Sequence, residues 1–254
     1  MKVATIVPTS YLYLTATDDY FLCLTHIAKK DPGYRDFFRV VSRRGGYIIV
    51  DNGAAEGEHS SIQEVYDMAC EINADEIVLP DVFFEGQETI RKSEEAINWL
   101  AKQKEHFNLM AVPQGRNIVE WRHSAKSLLG LMVQTIGVPK NLVHTGGDYG
   151  RIAGVGVLID TMATTGWFAD IHLLGCWKDP MELAYLDQLW SDDIRGADSG
   201  IAYMYAKEGW KLDAKKHPKP TRPIDFNDTE VDEKLLRRNI TLWREYCGLP
   251  NMSL

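Results

Sequence analysis

The chain has little cysteine and no paired cysteines. Its four, Cys23, Cys70, Cys176 and Cys247, are scattered over 254 residues with no C-x-x-C spacing. This excludes a disulfide framework and disfavours a zinc site, and it fits reduced thiols of a cytosolic protein. No apolar run approaches the length that spans a bilayer, and the N-terminal Met1-Lys2-Val3-Ala4-Thr5-Ile6-Val7-Pro8 is too short for a signal peptide and reads as a first strand. No membrane partner and a cytoplasmic location are expected. An excess of positive charge is also missing. The formal net charge is −8, a poor footprint for gripping nucleic acid by bulk electrostatics, though a local basic groove is compatible with it. The seven histidines show no H-x-E or H-x-x-x-H spacing, so no metal and no cofactor are expected.

What is present is a 45% hydrophobic chain, enough for a sizeable core in about one large domain. The stretch Ala74-Asp75-Glu76-Ile77-Val78-Leu79-Pro80-Asp81 organises the reading. Ile77 to Leu79 has the branching of a strand buried on both faces, and Pro80-Asp81 ends its pairing. A helical pattern follows over 87–103. Strand, polar tip and helix recur, with tips at Asp51, Asp81, Gln114 and Asp198. In a closed parallel barrel such tips face one pocket. The predicted fold is α/β, a (β/α)8 barrel over residues 1–210. A basic linker and a C-terminal helix packed on the barrel fill 211–254.

Strands are predicted over 2–7, 47–51, 77–79, 107–112, 132–136, 170–175 and 194–199. Helices are predicted over 18–30, 34–42, 62–72, 118–131, 149–164 and 180–190; 201–205 reads as helix or eighth strand. Ser61 with Glu64 three residues on has the pattern of a capping box. Gly154 and Gly156 lack the third glycine of a dinucleotide fingerprint and read as close packing. Lys211 to Pro223 carries Lys211, Lys215, Lys216, His217, Lys219 and Arg222 with three prolines, a solvated linker or a phosphate-contacting arm. Asp228 or Thr229 is the expected cap of the last helix. Phe83, Phe84 and Trp177 follow strand tips, where core or loop packing is the default and stacking on a ligand in the pocket the alternative. His172 reads as a core or pocket-wall residue.

The motifs in order resemble the tRNA-guanine transglycosylase superfamily. They are Asp-Asn-Gly at 51–53, Ala-Asp-Glu-Ile-Val-Leu-Pro-Asp at 74–81, Val-Pro-Gln-Gly at 112–115, Leu-Leu-Gly at 173–175 and Gly-Ala-Asp-Ser at 196–199. The resemblance implies a (β/α)8 barrel that exchanges guanine in a nucleic acid for a 7-deazaguanine. It makes Asp198 the nucleophile and Asp51 the general acid/base. Asp81 and Gln114 would read the base, with Gly137, Val138 and Gly175 lining its site. The family's Asp-Ser-Gly-Gly motif is Asp-Asn-Gly-Ala here, so Ala54 replaces the second glycine. The tRNA-acting bacterial members carry a Cys-x-Cys-x-x-Cys…His zinc site after the barrel, and this chain has none. It is therefore similar to the compact branch that modifies DNA in phages and bacterial DNA-modification systems. The implied partners are DNA, with tRNA as the alternative, and a 7-deazaguanine such as preQ0 or a derivative. Two other classes stay open: a different carboxylate-based barrel enzyme, and a non-catalytic subunit that binds a base or nucleic acid.

Overall fold

The computed structural model describes residues 1–142, 150–176, 180–213, 220 and 224–249. Eight strands form one parallel sheet: β1 (Lys2–Thr5), β2 (Tyr20–Leu24), β3 (Tyr47–Asp51), β4 (Glu76–Val78), β5 (Asn108–Ala111), β6 (Thr135–Pro139), β7 (Asp170–Leu174) and β8 (Ile194–Ser199). The ladder runs β1-β8-β7-β6-β5-β4-β3-β2, every pair is parallel, and β1 and β2 at its two ends lie side by side. Helices alternate with the strands: α1 (Thr25–Lys30), α2 (Pro32–Arg43), α3 (Ile62–Ile72), α4 (Gly86–Leu100), α5 (Ile118–Leu129), α6 (Gly150–Thr165), α7 (Met181–Trp190) and α8 (Ile201–Lys207). A last helix, α9 (Glu233–Tyr246), packs on α8. This is a TIM-type (β/α)8 barrel with a C-terminal helix, as the recurrence of strand and helix implies.

The largest difference from the sequence reading lies at 18–30, expected as one helix. Tyr20–Leu24 is instead β2, parallel to β3 with Leu24 opposite Asp51, and only Thr25–Lys30 is helical. All five residues of Tyr20–Leu24 are buried, so their pattern carries no period to separate strand from helix. Tyr20, Leu22 and Leu24 point into the barrel, whereas Phe21 and Cys23 face the helices, the two-residue alternation of a strand. The residues at 201–205 are accordingly helix, and the eight strands are complete without them. The strand expected over 132–136 starts at Thr135, because Met132 takes a left-handed turn (φ 59°) and is exposed.

Local signals position the other elements. Asp31 caps α2, accepting from the Gly33 and Tyr34 amides, with Pro32 in its first turn. Ser61 and Glu64 form the capping box of α3. The cap of α9 is Asp232, which accepts from Leu235; Asp228 is held by Tyr203 and Lys207 instead. Val231, Leu236, Ile240 and Trp243 of this segment are buried, and Asn239 bonds the backbone of Ala202, Trp210 and Leu212. Gly154 packs where a Cβ would lie 2.2 Å from Leu142, and Gly156 lies beside Trp190. Of the basic linker only Lys211, Leu212, Asp213 and Pro220 are described; Lys215, Lys216, His217, Lys219 and Arg222 lie outside the described residues, as do Trp177 and the 144–148 link. Among the described residues no helix is long and apolar enough to cross a membrane.

The core has two shells. The larger lies between strands and helices and includes Trp121, Leu128, Leu158 and Leu186. The smaller fills the barrel, with Ala4, Leu22, Ile49, Val78 and Met110 at mid-height. Burying one of the larger of these side chains contributes roughly 1.5–3 kcal/mol. Below this apolar layer the interior is polar: Tyr20, Tyr47, Glu76 and Arg195 meet there. Above it lies the mouth where the strands end.

Candidate active site

A cavity of about 870 Å³ opens at the C-terminal mouth of the barrel. That size suits a small-molecule or nucleotide site, and in this fold it is where chemistry sits. Asp51, Asp81, Gln114, Gly175 and Asp198 all line it. Gly137 and Val138 do not. They are ladder residues inside β6, opposite His172 and Leu173, and this part of the chain lines the cavity at Pro139, the last residue of the strand, and at Lys140 and Asn141 after it. Gly137 is small for a packing reason: a Cβ there would meet Leu174, Met110 and Val112 at 2.7, 3.1 and 3.2 Å.

Asp51 ends β3. Its Oδ2 accepts from the Gly53 amide at 2.8 Å, and its carbonyl accepts from the Thr25 hydroxyl at 2.6 Å. Gly53 takes φ 77°, which turns the chain sharply behind the carboxylate. Burial raises the Asp51 pKa well above the usual carboxylate range; Glu56 adds to the rise, as do Asp198 and Asp81, and the Gly53 amide opposes it. Glu56 is exposed to the solvent of the cavity mouth. Surrounding protein raises its pKa, with the Lys140 ammonium opposing and Asp198 adding.

Asp81 follows β4 and is buried. Its Oδ2 accepts from Gln114 Nε2 at 2.7 Å and its Oδ1 from Asn52 Nδ2 at 3.2 Å. Burial raises its pKa, and these two amides pull against that rise. Gln114 Oε1 accepts from the Phe84 amide at 3.3 Å, so the glutamine is oriented from both ends. Asn52 also donates to the Leu79 carbonyl at 2.9 Å and accepts from the Ala54 amide at 2.8 Å. One buried asparagine thus ties the tip of β3 to the tip of β4. Phe83 and Phe84 are exposed at the cavity edge with their rings 6.3 Å apart, and Phe84 holds φ 63°. Left-handed backbone at a bulky residue is strained and concentrates at functional sites.

Asp198 lies near the end of β8 and is buried. Its Oδ1 meets His172 Nε2 at 3.0 Å and accepts from the Gly175 amide at 3.3 Å. Gly175 takes φ 68°, and a Cβ there would lie 2.8 Å from Lys140. The fully buried Arg151 holds this turn by donating to the Leu174 and Gly175 carbonyls at 3.1 and 2.6 Å while paired with Glu182. Among the described residues, no group of three or more His, Cys, Asp and Glu side chains is placed to hold a metal ion.

Six contributors carry no chemical role in the sequence reading. Asn52 has its signal only in lying between Asp51 and Gly53. His172 is a histidine inside an apolar strand. Ile224, Asp225, Phe226 and Asn227 reach the cavity from beyond the barrel helices.

No family model and no curated relative matches the chain. Solved structures do resemble it. D-psicose 3-epimerase with D-tagatose from Clostridium cellulolyticum H10 has a TM-score of 0.56 at 11% identity, covering 98% of each chain. The chain is a TIM-type barrel. Tryptophan synthase from M. tuberculosis gives 0.51 at 10% identity, over 98% of this chain and 92% of that one. A putative lyase/mutase from Burkholderia cenocepacia J2315 gives 0.50 at 15% identity, over 82% and 79%. At such identities the likeness is one of fold, and function has to be argued from the site.

Proposed function

We propose that this barrel is a guanine transglycosylase that acts on DNA, exchanging a guanine base for a 7-deazaguanine. The observation that carries the reading is the gathering of Asp51, Asp81, Gln114 and Asp198 around one cavity at the C-terminal mouth. The motifs that resemble the transglycosylase superfamily supply these same four residues.

Asp198 attacks C1′ of the target nucleotide. The C1′–Asp198 ester bond forms as the bond from C1′ to the guanine nitrogen breaks. The oxocarbenium-like centre is trapped covalently, so one hard step becomes two easier ones. Asp51 donates a proton to the departing base and later takes one from the incoming base. Its raised pKa suits a group that must hold a proton before the first step. The incoming 7-deazaguanine then displaces Asp198, and two displacements retain configuration at C1′. Asp81, held by Asn52 and Gln114, offers acceptor oxygens to the N–H groups of a guanine edge, and Gln114 fixes the purine carbonyl. A base inside a duplex cannot reach such a pocket, so the target is single-stranded or flipped out. Phe83 and Phe84 at the rim give it aromatic surface to stack on.

A second reading keeps the carboxylates and changes the substrate to a small glycoside. The acidic cavity and the net charge of −8 favour it, since neither attracts a phosphate backbone. One experiment separates the two. The protein is mixed with DNA, or with tRNA, carrying labelled guanine, and candidate 7-deazaguanines are added. Release of guanine from DNA that needs the added base supports the proposal. Release from tRNA alone moves the polymer, and release from neither rejects the transglycosylase reading.

A further inference from the structure

A chain of buried and partly buried side chains runs from Asp198 down the inside of the barrel. His172 Nε2 lies 3.0 Å from Asp198 Oδ1, and its Nδ1 lies 2.8 Å from the Tyr20 hydroxyl. The Tyr20 oxygen accepts from Arg195 Nε at 3.2 Å. Arg195 also donates to Glu76 Oε2 at 2.6 Å, and Tyr47 donates to the same oxygen at 2.9 Å. His172, Tyr20 and Glu76 are fully buried, and Tyr20 stacks on Tyr47 with ring centres 5.6 Å apart.

The direction of each bond follows from the cation at the bottom. A guanidinium only donates, so the Tyr20 oxygen is an acceptor there and its own hydrogen must find another partner. His172 Nδ1 is that partner. If Nδ1 carried the hydrogen instead, the phenolic hydrogen would be buried without an acceptor among the described residues, a costly arrangement. With Nδ1 accepting, Nε2 carries the hydrogen and donates it to Asp198 Oδ1. The Gly175 amide donates to the same oxygen. Asp198 Oδ1 therefore holds two donors, and Oδ2 has no bond among the described residues while Asp198 lines the cavity.

We propose that His172 is a positioning residue that turns Asp198 so that Oδ2 is the attacking oxygen, its tautomer set by Tyr20 and Arg195. The role rests on the reading of Asp198 as nucleophile; the tautomer does not. Two measurements keep these apart. The first is nitrogen NMR of the 15N-histidine-labelled full chain near pH 8, with the His172 signals assigned by their loss in His172→Gln. The expected result is hydrogen on Nε2 and a bare Nδ1, with that preference weakened in Tyr20→Phe. Hydrogen on Nδ1 in the native protein overturns the inference even where base exchange is robust.

The second is guanine exchange by variants. A glutamine at 172 puts an amide donor where imidazole Nε2 stood, and an asparagine puts one where Nδ1 stood. His172→Phe should lower kcat about ten- to a hundredfold, the loss of one hydrogen bond to a carboxylate. KM should stay within about threefold, as for an interaction used in the transition state. His172→Gln should recover most of kcat, and His172→Asn should not. Equal recovery by both, or recovery by Asn alone, overturns the positioning role. If His172→Phe does not fold, the Gln and Asn pair carries the test. If the native protein exchanges no base from any polymer, the proposed function falls, and the NMR result still decides the tautomer.

Discussion

Replacing Asn52 by aspartate should cost stability in a pH-dependent way that can be worked out from its three bonds. Asn52 Nδ2 donates to the Leu79 carbonyl and to Asp81 Oδ1, and its Oδ1 accepts from the Ala54 amide. Asn52→Asp keeps the shape and the acceptor. It replaces both donated bonds by an oxygen facing two oxygens. Losing two bonds in a buried site, one to a carboxylate, costs about 3 kcal/mol. For a chain of this size that is a fall in Tm of about 6–12 °C. The new carboxyl is buried beside Asp81 and next to Asp51, so its folded pKa lies above its unfolded value of about 3.9. A carboxyl raised in this way binds its proton more tightly in the folded state. The variant should match the native protein most closely below about pH 4 and lose ground as pH rises through the folded pKa. The native protein carries raised pKa values at Asp51 and Asp81 with the same sign, so the quantity that matters is the difference in Tm between the two proteins. Thermal unfolding followed by circular dichroism at pH 4, 6 and 8 measures it. Equal Tm values at pH 8 would refute the placement of Asn52 as a donor between the β3 and β4 tips.

Asp198→Asn should abolish guanine exchange yet leave the unfolding free energy within about 1 kcal/mol of native, because the amide oxygen still accepts from His172 and Gly175; unfolding and exchange assays on one preparation check both halves. Asp51→Asn should slow both proton transfers and allow a DNA adduct to accumulate on Asp198, seen by denaturing electrophoresis and mapped by peptide analysis; an adduct on Asp51 would exchange the two roles. Burial raises the Asp18 pKa from 3.8 to about 6 against the opposing pull of Arg244. Its folded value is raised, so native stability should fall relative to Asp18→Asn as pH climbs from about 4 to about 6, by up to about 3 kcal/mol, and a flat difference in melting curves over that window would contradict the burial. Gly115→Ala should destabilise by about 1–3 kcal/mol, since its Cβ would lie 2.4 Å from the Trp121 backbone nitrogen, and urea unfolding measures this.

The strand tips were legible because each couples an apolar run to a residue that cannot continue it. Ile77-Val78-Leu79 into Pro80-Asp81, and Tyr47-Ile48-Ile49-Val50 into Asp51, announce both the strand and its end. The structure brings Asp51, Asp81, Gln114 and Asp198 to one cavity because parallel strands share one mouth. Tyr20–Leu24 gave no such announcement. It is apolar at every position, and α1 follows at Thr25 with no glycine, proline or cap between them, so strand and helix merge into one apolar stretch. The missed strand is also the one that brings Tyr20 to His172.

The network beneath Asp198 hides for a different reason. Its bonds join residues 152, 119 and 26 positions apart, and only the closed barrel makes them neighbours. Yet half of the signal was in the sequence. Glu76 sits beside Ile77 and Val78, His172 between Ile171 and Leu173, and Arg195 after Ile194, each a polar group on a strand whose neighbours are buried. A polar group inside a barrel is either bonded or costly. Three on separate strands of one barrel therefore imply that the interior contains a bonded network before any partner is known. What periodicity cannot supply is the height of each residue along the barrel, which depends on register. Ala4 opposite Asp198, Leu24 opposite Asp51 and His172 beside Gly196 set that height here. They leave the apolar layer of Leu22, Ile49, Val78 and Met110 in the barrel centre, so His172 is the link that connects the carboxylate at the mouth to the partly buried cation below.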